Sequence, residues 1–303
     1  MNLTINQFDL LIYLEARQEE KHAQRALAKA LGLSVGMINK LLSELQEKEL
    51  LCANEQGHFE VTLKGYAWLE PYRVKKAIFL AAGFGSRLVP ITLNTPKPLI
   101  MVHGKRIIET LLDAVLAAGI TDITIVRGYL GEQFDLLLKK YPMIRFIDNP
   151  IYNESNNISS AMLIKDQMEN AYVLESDLLL YHPHIIRKYE YRTNYCGFAV
   201  ERSDDWCFQT KNGMIKKVSV GGQNCYQMVG ISYWSKEDAQ KMANDVEKVF
   251  TMPGGREKYW DEVALTYCKE HYDVLLREID SSDIIEIDTF NELKQLDPIY
   301  RGS

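Results

Sequence analysis

Apolar positions keep one spacing through the first third of the chain and then change it. Phe8, Leu11, Ile12 and Leu14 recur at helical intervals, as do Val35, Ile38, Leu41, Leu42 and Leu45, which predicts two amphipathic helices. Between them, Gln24–Leu31 predicts a short helix that stops at Gly32, and Ser34 is placed to cap the next one. Leu51-Cys-Ala53 and Phe59–Leu63 then flank the turn Asn54-Glu-Gln-Gly57, the pattern of a β-hairpin. The periodicity resets at Pro71–Lys75, which places a domain boundary there, with residues 1–72 on one side and 73–303 on the other. Lys76–Ala82 is apolar and uninterrupted, as a buried strand requires. Strands at 122–126, 144–148 and 171–175 alternate with helices at 107–116, 132–140 and 157–168. Further strands are expected near 197–200, 215–220, 228–234 and 273–278, and helices from Lys236 and Lys258. This succession predicts an α/β domain with a mixed, mainly parallel sheet and helices on both faces.

Length and composition narrow the class. A chain of 303 residues fits about two domains, and a 47% hydrophobic content supplies a sizeable core. A net charge of −6 excludes a protein that mainly coats nucleic acid. Cys52, Cys196, Cys207, Cys225 and Cys268 are scattered, and no Cys-x-x-Cys pair occurs, so reduced thiols are expected rather than a disulfide framework or a zinc site. The six histidines, His182-x-His184 included, suggest no ligand cluster. The first residues lack the basic and then apolar layout of a signal peptide, and no apolar run approaches the ~20 residues of a membrane span. A cytoplasmic protein is expected.

The chemistry gathers around Leu80-Ala-Ala-Gly-Phe-Gly-Ser-Arg87 and Thr95-Pro-Lys-Pro98. Gly83 and Gly85 let backbone N–H groups close on an anion. Arg87 adds a fixed cationic fork, and Lys97 follows in a proline-stiffened turn. The spacing is that of neither the P-loop nor the dinucleotide fingerprint. Asp177 ends an apolar strand and Asp261 opens a helix after Pro253-Gly-Gly255, positions suited to holding Mg²⁺ beside phosphate oxygens.

Two resemblances follow from these residues. Leu27-Ala-Lys-Ala-Leu-Gly-Leu-Ser-Val35 with Leu41-Leu-x-Glu-Leu45 resembles the winged helix-turn-helix domains of bacterial regulators over residues 5–70. DNA binding there is possible but not favoured: ten acidic residues oppose seven basic ones in positions 1–72, and of Met37, Asn39, Lys40 and Ser43 on the recognition helix only one is cationic. Packing or homodimerisation is the preferred role. The glycine loop, the Pro-Lys-Pro turn and Asp177 resemble the Rossmann-like nucleotidyltransferases. More narrowly, Asn156-Asn-Ile-Ser-Ser160, Asp205-Trp206, Tyr259-Trp-Asp261 and Glu286-Ile-Asp288 resemble bacterial CTP:phosphocholine cytidylyltransferases.

That resemblance implies CTP-dependent transfer of CMP to a small phosphorylated amino-alcohol, with release of pyrophosphate. It implies that Leu80, Ala82, Gly83, Gly85, Ser86, Arg87, Gly128, Asn157 and Ser160 bind the nucleotide. Lys97, Arg87 and Asp177 would carry catalysis, Asp177 and Asp261 would hold Mg²⁺, and Trp206, Tyr259 and Trp260 would line the acceptor site. Ser159 stands where an aromatic residue is expected, which admits phosphoethanolamine or 2-aminoethylphosphonate as the acceptor. A sugar-1-phosphate nucleotidylyltransferase and a nucleotide-sensing regulator are the alternatives.

Overall fold

The computed structural model describes residues 2–17, 20, 22–54 and 58–302. They divide into two compact units, Met1–Arg73 with Tyr189–Tyr191, and Val74–Lys188 with Arg192–Ser303. In the first unit, helix α1 (Ile5–Glu15) starts at a capping box in which the Thr4 hydroxyl accepts from the Gln7 N–H. Helix α2 (Gln24–Leu31) ends where Gly32 turns left-handed at φ +66°. Ser34 caps α3 (Val35–Glu47) through the Met37 N–H at 3.2 Å. Strands β1 (Leu51–Ala53) and β2 (Phe59–Val61) pair antiparallel, and the turn at 55–57 lies outside the described residues. Leu63, expected at the end of a strand, instead opens α4 (Leu63–Leu69), capped by Thr62. Phe8, Leu11, Leu27, Ile38, Leu41 and Leu45 form the core of this unit. Tyr191 joins it by stacking on Tyr72, with ring centroids 5.3 Å apart.

The second unit is a seven-stranded sheet with helices on both faces. Its strands are β3 (Lys76–Ala81), β4 (Asp122–Arg127), β5 (Ile144–Asp148), β6 (Ala171–Glu175), β8 (Asn194–Lys211), β9 (Met214–Trp234) and β10 (Leu275–Glu278), with a short β7 (Leu178–Leu180) just after β6. The order across the sheet is β8-β10-β9-β6-β3-β4-β5. Strands β5, β4, β3 and β6 are parallel, and β9 runs antiparallel to β6. Along β3 successive side chains alternate faces. Ala77, Phe79 and Ala81 meet Ile108, Leu111 and Val115 of α5 (Ile107–Ala117). Ile78 and Leu80 meet Ile158 and Ile164 of α6 (Ile158–Ile164) and the apolar face of α7 (Lys236–Thr251).

The remaining departures from expectation have local causes. The expected strands near 197–200, 215–220 and 228–234 belong to one long hairpin, β8 and β9, whose register shifts interrupt the alternation that marks a strand. The expected helix from Lys258 is a single wide turn at Val263–Tyr267. Strand β7 pairs antiparallel with β11 (Ile284–Glu286), and α8 (Phe290–Leu296) follows. This C-terminal strap is held by Ile287 and Leu293, both fully buried against Leu88, Ile107 and Leu179.

Candidate active site

Strand β3 has β4 on one side and β6 on the other, so its carboxyl end opens a crevice where the connections leave in opposite directions. A cavity of about 510 Å³ fills that crevice. Leu80, Ala82, Gly83, Gly85, Arg87, Asn157 and Ser160 line it, together with Lys97, Asp177, Trp206, Tyr259 and Asp261. Gly85 sits at φ +69°, and a Cβ there would lie 3.1 Å from the Lys97 Cβ, so glycine both turns the loop and admits the lysine. On the opposite wall the Asn149 side-chain amide donates to the Ser159 hydroxyl at 2.9 Å and to the Ser160 hydroxyl at 3.1 Å. The Asn157 side-chain oxygen accepts from the backbone N–H of Trp260 at 2.9 Å, fastening the segment that carries Tyr259 and Asp261.

Three expected residues stand outside the cavity lining. Ser86 begins the short turn Ser86–Leu88 that follows Gly85. Gly128 lies behind Tyr152, whose ring carbon would be 2.7 Å from any Cβ at that position. Its role is to let Tyr152, a residue not anticipated, reach the cavity wall. Trp260 is 1% exposed and packs on Trp234 at 5.7 Å, in the core under α7. It is not part of an acceptor cage. The cavity presents instead the pair Trp206 and Tyr259, edge to face at 5.7 Å, with Tyr259 41% exposed.

Lys97 occupies the centre of the charge distribution. Its ammonium lies 2.7 Å from Asp177 and 3.1 Å from Asp288, and Arg87 reaches the same Asp288 oxygen at 2.7 Å. Burial opposes the lysine's charge, but Asp177 first, and then Asp288 and Glu286, hold its pKa above the ordinary value. Carboxylate oxygens of Glu175, Asp177 and Glu286 lie within 4.8 Å of one another. Burial, then the neighbouring charges of Asp177 and Asp288, push Glu286 up to about 8, and burial drives Glu175 well above the carboxylate range.

Asp261 was expected to share a metal ion with Asp177. It lines the cavity but stands outside this carboxylate trio, and burial raises it to about 7. Glu286, to which sequence reasoning assigns no role, is the carboxylate that lies beside Asp177 with Glu175. The signal was present in Glu286-Ile-Asp288: Ile287 is fully buried, so in an extended segment the two acids on either side share the opposite face. One carboxylate oxygen of Asp177 is buried and has no hydrogen-bond partner among the described residues. An orphaned oxygen beside a second carboxylate suits a hard divalent cation with oxygen ligands.

Among the described residues no helix is long and apolar enough to cross a membrane. The family profile described as nucleotidyl transferase matches residues 76–204, and the winged helix-turn-helix DNA-binding profile matches residues 5–51. A 2-aminoethylphosphonate cytidylyltransferase of Lancefieldella rimae is 36% identical over 74% of this chain and 92% of its own. A choline-phosphate cytidylyltransferase of Streptococcus pneumoniae is 34% identical over 75% of this chain and 99% of its own. The solved structure of CTP:phosphocholine cytidylyltransferase from Streptococcus pneumoniae superposes with a TM-score of 0.70, at 34% identity, over 75% of this chain and 99% of that one.

Proposed function

Because this chain belongs to the nucleotidyl transferase family, among its choline-phosphate and 2-aminoethylphosphonate cytidylyltransferases, we propose that it transfers CMP from CTP to phosphocholine or a close amino-alcohol phosphate and releases pyrophosphate. One observation carries the reading: the glycine loop, Lys97 with its carboxylates, and the Trp206–Tyr259 pair all face one cavity. A phosphate oxygen of the acceptor attacks the α-phosphorus of CTP in line, and pyrophosphate leaves. Both reactants are anions, so positioning and charge neutralisation dominate the rate. The N–H groups around Gly83 and Gly85 and the Arg87 guanidinium would hold the outer phosphates. Lys97 would bridge the α-phosphate and the attacking oxygen, where negative charge grows in the transition state. Asp177 and Glu286, with Asp288 beside them, would hold Mg²⁺, which supplies further neutralisation of the phosphate oxygens. No general base is needed, because the attacking phosphate is already ionised.

Trp206 and Tyr259 offer aromatic faces to the acceptor's cationic end, worth about 0.5–2 kcal/mol each. A second reading has its own support. With Trp260 withdrawn into the core, Trp206 and Tyr259 remain as the paired rings, and Asp205, Asp261 and Glu175 lie in the same lining. Carboxyl groups suit a primary ammonium, which must place its N–H donors, so 2-aminoethylphosphonate is the second acceptor. The test is Mg²⁺-dependent pyrophosphate release, measured for each nucleoside triphosphate with phosphocholine, phosphoethanolamine, 2-aminoethylphosphonate and glucose-1-phosphate. CTP with an amino-alcohol acceptor is the expected productive pair. Silence with every pair would remove catalysis and favour a nucleotide sensor. For the winged-helix unit we infer packing or homodimerisation rather than DNA reading. Lys40, the cation on its recognition helix, is paired with Glu44 at 3.8 Å, and Met37 and Val35 beside it are exposed. A gel shift on its own promoter at low salt would overturn that.

A further inference from the structure

Away from the cavity, three side chains of metal-ligand type converge. Asp245 projects from the buried face of α7, among Met242, Val246 and Val249, and is 6% exposed. Cys268 and His271 flank the turn that follows Val263–Tyr267. A carboxylate oxygen of Asp245, the Cys268 sulfur and an imidazole nitrogen of His271 all lie within 4.8 Å of one another. Asp245 Oδ2 is 2.7 Å from His271 Nδ1 and accepts from the Tyr272 hydroxyl at 2.7 Å. Burial first, and then the Asp245 charge, push the Cys268 thiol up. The imidazole is 42% exposed, so an ion can arrive from solvent on that side.

We propose that Asp245, Cys268 and His271 form a second metal site, distinct from the carboxylates around Asp177, for a divalent transition ion of the Zn²⁺ type. The donor set is one oxygen, one nitrogen and one sulfur, which Zn²⁺ accepts and Mg²⁺ does not. Binding releases the thiol proton and moves the imidazole proton from Nδ1 to Nε2, so the buried carboxylate and the new thiolate together balance the ion's charge. Water fills the fourth position. The Tyr272 hydroxyl stays on Asp245 as the group that orients the ligand. The consequence is mechanical. Tyr272 meets Trp234 at 5.9 Å, and Trp234 meets Trp260 at 5.7 Å, next to the two residues that line the cavity. An ion here would brace the far end of that aromatic row. No zinc pattern is visible along the chain because Asp245 stands far from the Cys268-x-x-His271 spacing and on a different element.

The full-length, reduced protein in saturating Mg²⁺ should be titrated with Co²⁺. A thiolate–cobalt charge-transfer band in the near ultraviolet is expected to grow to one equivalent and to be bleached by Zn²⁺. The oxygen ligands around Asp177 cannot give that band. Cys268→Ser and His271→Ala should each abolish it. The histidine variant alters a partly exposed ring, so it decides the matter if the buried serine variant fails to fold. Zn²⁺ should also raise the melting temperature of the wild type but not of His271→Ala. Absence of the band in the wild type, or its survival in His271→Ala, overturns the proposal.

Discussion

The two walls of the cavity are built in different ways. The wall we assign to the triphosphate comes from one continuous run, β3 and the loop behind it, with Gly83, Gly85, Arg87 and Lys97 close together in the chain. The wall that carries the carboxylates, and that we assign to the acceptor, is gathered from β6, the β8–β9 hairpin, the 259–261 segment and the C-terminal strap. A contiguous wall is positioned by its own backbone, whereas the assembled wall depends on packing of distant segments. Mutations should therefore act on the first chiefly through rate, and on the second through affinity, metal requirement and stability.

The largest effect should come from Lys97, which belongs to both walls. Lys97→Ala should lower kcat by about 10²–10³-fold or more, as for loss of a preorganised charge at the reacting centre. It also leaves the buried carboxylates uncompensated, so its melting temperature should fall without Mg²⁺ and recover with it. Recovery of activity along with stability would contradict the catalytic role. Next, Glu286→Gln should raise the Mg²⁺ concentration for half-activity by about tenfold, or about 1.4 kcal/mol, whereas Asp261→Asn should not. An equal effect of the two would restore Asp261 to the metal site.

The two tryptophans separate affinity from stability. Trp206→Ala should raise the KM for the acceptor by roughly 5–30-fold, corresponding to about 1–2 kcal/mol, with the KM for CTP little changed. Trp260→Ala should instead cost about 3–5 kcal/mol of stability, and Trp260→Phe should leave the acceptor KM unchanged. If Trp260→Phe moved that KM, the ring would belong to the acceptor wall after all. The smallest effect concerns pH. Burial raises Asp261 from 3.8 to about 7, so across that window the folded state binds a proton that the unfolded state has lost. Stability should decline as pH rises through the window, and Asp261→Asn should flatten that part of the profile in a series of thermal melts. An unchanged slope would mean that Asp261 is not the group responsible.

The same contrast explains what could be read from the sequence. The β3 run, the glycine loop and Lys97 were legible because each depends on neighbours close in the chain. Helices α1 to α3 of the first unit were legible because their apolar spacing and caps are local, whereas α4 was not, its first residue Leu63 continuing the alternation of the preceding strand. Trp260 was misread because it shares a motif with Tyr259 and Asp261. Both of those line the cavity, while Trp260 turns into the core. The place of Glu286 beside Asp177 needed the pairing of β11 with β7, which no local pattern announces. Gly128 is required as a glycine, because a Cβ there would meet Tyr152 and the Ala82 carbonyl oxygen, and it stands outside the cavity lining. The proposed zinc-type site was invisible for the same reason as Glu286, being made by helix α7 meeting a turn that comes after it in the chain.

The most direct measurement is a single-vessel competition followed by ³¹P NMR, with the full-length protein, Mg²⁺, CTP and equal amounts of phosphocholine, 2-aminoethylphosphonate and glucose-1-phosphate. The account expects pyrophosphate together with a cytidylylated product of phosphocholine or 2-aminoethylphosphonate, and none from the sugar phosphate. Formation of the sugar nucleotide alone, or no product from any acceptor, would contradict it.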